Sequence, residues 1–159
     1  MAPRYPEIVD TYIEFCRHTV LDGNDAASAA LTAHTAASAA NKERAKAALD
    51  NQRDSRDTAK VALAAARSIP DALDPLLKPA LPADYTGRAT VLSAINWSRT
   101  AVLRGNSAAQ LALTLYNAST GTARTRAKTA LDDIRTARDT GKVALAAGRE
   151  TDYQLMYPT

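Results

Sequence analysis

From Glu7 onward the chain sets apolar or small residues among polar ones at intervals of three and four, the spacing of a single helix face. Val9, Tyr12, Ile13, Cys16 and Val20 form the first stripe, opened by Pro6 with Glu7 in the first turn. Asp22-Gly23-Asn24 reads as a corner, with Gly23 as a left-handed cap ending a short helix and Asn24 capping the next. Residues 25–67 hold neither Gly nor Pro, and a second stripe runs through them from Ala27 and Leu31 by way of Ala45, Leu49, Gln52, Arg56 and Leu63 to Ala66. This predicts a coiled-coil seam of small residues with one stutter between Ala45 and Leu49. A helix of about 43 residues is on the order of 65 Å long.

The whole pattern is then written again. Shifted by 82 positions, 30 of the 59 residues in 9–67 coincide with their partners in 91–149, without a gap. The clearest stretch sets Arg56 to Arg67 against Arg138 to Arg149, and Gly105-Asn106 repeats the corner. What both copies keep is more often architectural. Ser119-Thr120-Gly121-Thr122 alone disturbs the second seam. A kink or restart there competes with an unbroken helix, and continuity is the reading adopted. The fold expected is all-α: one domain over 1–159, an elongated four-helix bundle of two tandem short–long hairpins related by a pseudo-two-fold axis. Repeat one covers 9–67 and repeat two 91–149. The connector 68–84 holds Pro70, Pro75, Pro79 and Pro82, which exclude a regular helix, while Ile69, Leu73, Leu76, Leu77 and Leu81 tie it to the bundle. The tail 150–159, with Tyr153, Leu155, Met156 and Tyr157, is apolar enough to dock on the bundle or on a neighbour.

Composition narrows the picture. There are 35 alanines but only one Phe and one Trp, so the core is thin and close-packed, with no wide centre for a ligand. Leu49, Leu63, Leu131 and Leu145 are its expected anchors. A lone Cys16, opposite Ser98 in the other copy, rules out an intrachain disulfide and reads as a small core residue. No secretory leader and no run long enough for a bilayer are visible, which leads to the expectation of a soluble, cytoplasmically made chain with no membrane partner.

Candidate chemistry is sparse. The histidines, His18 and His34, and the four glutamates do not build a metal or general-acid cluster, and the six glycines are isolated, so no catalytic residue, metal or cofactor is assigned. No small-molecule substrate is expected. Net charge is +3, yet residues 41–67 carry seven Lys/Arg against four acids and 122–149 seven against three. Pairs such as Lys46–Asp50 and Arg53–Asp57 at i,i+4 absorb most of these charges. Arg44, Arg56 and Arg67, with Arg126, Arg138 and Arg149, lack an obvious intrahelical acid and become the candidates for contact with a partner or nucleic acid. Leu111, Leu115 and Tyr116 replace smaller or more polar residues of the first copy and become the candidate interface. Short helices of about 15 residues cover about a third of the long ones, so the distal halves need a partner. The function expected is therefore that of a non-enzymatic structural protein assembling with itself; by shape alone, such hairpins suit virions and other large assemblies. The alternative is a helical protein that binds nucleic acid without reading sequence, through the distal Arg/Lys faces.

Overall fold

The computed structural model describes residues 6–73 and 85–158. Four long helices form the bundle: α1 (Glu7–Ala36), α2 (Lys42–Arg67), α4 (Arg88–Ala118) and α5 (Gly121–Met156), with a one-turn α3 (Ile69–Ala72) following α2. Helix α1 packs on α2 and α5, and α4 packs on the same two, which leaves α1/α4 and α2/α5 as the diagonals. Val9, Leu63, Val91 and Ala144 share the core at one end. Ala33, Ala45, Leu115 and Ala127 share it at the other. Consecutive long helices are therefore antiparallel, and the bundle is all-α as the pattern predicts. The pseudo-two-fold axis has a physical marker: Cys16 Sγ lies 3.9 Å from Ser98 Oγ. Those residues are 82 apart, so the axis passes between them.

The corners are not where the sequence reading places them. Gly23-Asn24 and Gly105-Asn106 lie inside α1 and α4, which run on for 30 and 31 residues. The chain turns instead at Ala37-Ser38 and Ser119-Thr120, four extended residues without a side-chain N-cap, the second pair followed by Gly121 at φ 59°. The orphan carbonyls there are met by side chains. Lys42 Nζ donates to His34 O at 2.6 Å and to Thr35 O at 3.1 Å. Asn41 Nδ2 reaches across to Ala118 O at 3.1 Å.

Glycine at 23 and 105 serves packing. A Cβ on Gly23 would sit 3.3 Å from Arg56 Cβ, and one on Gly105 3.3 Å from Arg138 Cβ. A mid-helix glycine costs about 1 kcal/mol against alanine, and here it lets α1 approach α2, and α4 approach α5, at their midpoints.

The four long helices are thus of comparable length, 30, 26, 31 and 36 residues, rather than two short and two long. The segments 41–67 and 123–149 are covered along their length by α1 and α4, so the uncovered distal seam expected from sequence does not exist. The leucine anchors hold: Leu49, Leu63, Leu131 and Leu145 are all buried. Leu31 and Leu113, expected on the same seam, are exposed because the buried face of α1 runs through Ala26, Ala27, Ala30 and Ala33 and that of α4 through Ala108, Ala109, Ala112 and Leu115.

At the terminal end, Ile69 of α3 is fully buried and Leu73 packs against the same cluster, as the connector's apolar residues suggest. Leu76, Leu77, Leu81 and the later prolines lie outside the described residues. The tail is helical: α5 continues through Met156, Leu155 and Met156 join the core, and Asp152 pairs with Arg88 at 3.2 Å.

Candidate interaction surface

The interior is chemically quiet. Tyr12 hydroxyl and Ser98 Oγ are 2.7 Å apart. Burial pushes the Tyr12 phenol up and the Cys16 thiol up to about 11, so both stay protonated at neutral pH. The void beside Cys16, Thr19 and Ser98 measures about 10 Å³, room for a single water at most. Among the described residues no group of three metal-ligating side chains is present. His18 Nε2 lies 3.2 Å from Glu14 Oε1 on an exposed face in mid-helix.

The surface charges form a pattern that departs from the expected ladder. Lys46–Asp50 and Lys128–Asp132 close at 3.3 and 2.8 Å, as i,i+4 spacing predicts. Asp57 and Asp139, however, pair with Arg56 and Arg138, each at 3.0 Å, and not with Arg53 and Arg135. The stems of Arg56 and Arg138 lie over Gly23 and Gly105, which holds each guanidinium beside the next residue's carboxylate. Arg53 and Arg135 consequently make no ion pair or hydrogen bond among the described residues, as is also true of Arg67, Arg126 and Arg149. Spacing alone misassigned Arg53 and Arg135, because it does not report where a neighbouring helix holds a stem. Of the other candidates, Arg44 donates to Asn41 Oδ1 at 2.9 Å, and Arg67, Arg126 and Arg149 are exposed.

Arg135 and Arg138 belong to an open cleft of about 270 Å³ between α4 and α5, floored by Ala109 and Leu113 and flanked by Asn106 and Gln110. Pseudo-symmetry sets Arg53, Arg56, Asn24, Ser28, Ala27 and Leu31 at the corresponding places between α1 and α2. That set lies on the opposite side of the bundle from the cleft.

The remaining two sides differ sharply. Across α1 and α5, Asp22, Asp25, Asp132 and Asp133 gather. Burial, then Asp25, Asp132 and Asp22, hold the Asp133 carboxyl above its usual range. Thr140 Oγ1 donates to Asp22 Oδ2 at 2.6 Å. The corresponding residues across α4 and α2 are Arg104, Ser107, Asp50 and Asn51, with Arg104 donating to Thr58 Oγ1.

Exposed apolar residues also follow the duplication. Leu21, Leu31 and Val61 are exposed, and so are their partners Leu103, Leu113 and Val143; Leu92 and Trp97 are exposed in the second copy alone. In the sequence-derived interface, Leu115 is buried in the core, while Leu111 and Tyr116 are half-buried against it. The Arg124 guanidinium covers the Tyr116 ring at 4.4 Å from its centroid.

Among the described residues, no helix is long and apolar enough to cross a membrane. No protein family, curated protein or solved structure matches this chain.

Proposed function

We propose that this chain is a non-enzymatic structural protein whose partner is further copies of itself. One observation carries the reading. Every large apolar residue that the first repeat leaves exposed recurs, identical and exposed, in the second, although only 30 of the 59 aligned positions are identical. Exposed apolar groups that are kept in place are a mark of contact surfaces. Because α1 and α4 are diagonal, one set faces away from the other. A contact made by one set can be repeated by its twin, and a subunit with two like faces extends into a filament or layer, such as the shell of a virion or another large assembly. Sedimentation at micromolar concentration tests the reading: the parent chain associates, and Leu31→Glu with Leu113→Glu weakens association while helical content is unchanged. A parent chain that stays at 16.9 kDa throughout would exclude it.

A second reading is supported by the unpaired Arg53 and Arg135, with Arg44, Arg67, Arg126 and Arg149 nearby in sequence. These would contact the phosphates of nucleic acid without reading bases. Its test is binding of random DNA at about 50 mM salt, where such affinity is greatest; no binding there removes it.

A further inference from the structure

The bundle carries both halves of a charged contact. The α4–α5 cleft offers the free guanidinium of Arg135, the outer edge of Arg138 and the side-chain amides of Gln110 and Asn106, with Leu113 as an apolar floor. These are donors set for an oxygen anion. The α1–α5 side offers Asp22, Asp25, Asp132 and Asp133, gathered so that burial and then the neighbouring carboxylates hold the Asp133 carboxyl above its usual range. The copies differ here, for Asp22, Asp25 and Asp133 of the α1–α5 side are matched by Arg104, Ser107 and Asn51 on the α4–α2 side. The acidic side consequently exists once per bundle, while the arginine pair of the cleft exists twice, as Arg135 with Arg138 and as Arg53 with Arg56.

We infer that the arginine pairs receive the carboxylates of the α1–α5 side of a second copy. The inference rests on the self-association just proposed and names its surfaces. Charge complementarity within the one chain favours a copy of itself over a polyphosphate. Asp139 stands beside Arg138 and Asp132 beside Lys128, and these interleaved acids would repel a continuous phosphate backbone. A discrete patch of carboxylates over a guanidinium and two amides meets no such row. Unlike faces joined in this way form a heterologous contact, which propagates instead of closing as a two-fold dimer.

Two variants test it. One carries Arg53→Glu and Arg135→Glu, the other Asp25→Lys and Asp133→Lys, and circular dichroism checks that both remain helical. Sedimentation velocity at low salt should show each variant alone losing association by roughly tenfold or more, as like charges now oppose. Their equimolar mixture should recover it, because each supplies what the other lost. If a reversal unfolds the chain, Arg53→Gln with Arg135→Gln and Asp25→Asn with Asp133→Asn should each give a smaller loss. Either variant associating like the parent overturns the inference and leaves self-association through another surface. A mixture that stays apart overturns it too, and if the arginine variant has then lost affinity for a single-stranded oligonucleotide, the cleft is a phosphate site. A parent chain that never associates removes both this inference and the reading beneath it.

Discussion

The two halves of the bundle share a backbone but fill the terminal end of the core differently. On the α1–α5 side Tyr12 lies over Gly148, where an added Cβ would come within 2.8 Å of the ring. The corresponding positions on the α4–α2 side are Ala94 and Ala66, both buried. One side sets a large residue on a glycine and the other sets alanine on alanine, so the bulk is redistributed while the helices keep their places. The large–small solution also gains the Tyr12–Ser98 hydrogen bond across the pseudo-axis. Close packing permits such an exchange only when both partners change together.

The largest effects should be those that treat the halves alike. Leu49→Ala and Leu131→Ala each empty a matched site in the turn-end core and should each cost about 2–5 kcal/mol in denaturant titrations. Unequal costs would locate a difference in how the halves relax; no cost in either would mean the anchors are misplaced. Next comes the exchanged pair. Gly148→Ala must push back Tyr12 and should destabilise by about 1–3 kcal/mol. The same change in a Tyr12→Ala background recreates Ala94 with Ala66, and there it should stabilise by up to about 1 kcal/mol through helix propensity. A double-mutant cycle without that sign change breaks the comparison.

A smaller difference lies at mid-bundle. Gln52 is buried, with Nε2 donating to Gly23 O at 3.3 Å and Oε1 without a partner among the described residues, where the second half has the fully buried Ile134. Gln52→Ile should raise stability by about 1–2 kcal/mol by removing the unsatisfied oxygen, and a lowered melting temperature would contradict this. The smallest effect is on pH. The folded state holds the Cys16 thiol at about 11 against an ordinary 9.0. The folded chain therefore keeps a proton that the unfolded chain releases, and this contribution, full below pH 9.0, is lost as pH rises toward about 11. Tyr12 acts in the same sense above 10.0. Cys16→Ser, copying Ser98, should shrink the drop in melting temperature between about pH 8 and about pH 10.5; an unchanged drop would assign it to Tyr12 alone.

Much of this was legible in the residues. The 82-residue offset carried over residue by residue to the paired corners and to the Cys16–Ser98 contact, because a gapless repeat must share one backbone. Leu49, Leu63, Leu131 and Leu145 also followed from the seam. The corners were hidden for a physical reason. Glycine both ends helices and admits close neighbours, and Gly23 and Gly105 do the second. The real breaks at Ala37-Ser38 and Ser119-Thr120 use plain extended residues, capped from a distance by Lys42 and Asn41. The visible hint was Ser119-Thr120-Gly121, where Gly121 has φ of 59°; moving it back by 82 would have marked Ala37-Ser38-Ala39. The acidic side and the arginine cleft were illegible because they join residues from helices whose pairing depends on those corners.

The central claim is that duplication gave this bundle matched outer faces through which it associates with itself. Sedimentation velocity of the unmodified chain, from about 1 to about 100 μM at low salt, tests it most directly in the range where ordinary protein contacts form. The mass should exceed 16.9 kDa and keep rising with concentration without stopping at the dimer. A constant 16.9 kDa over the whole range would contradict it.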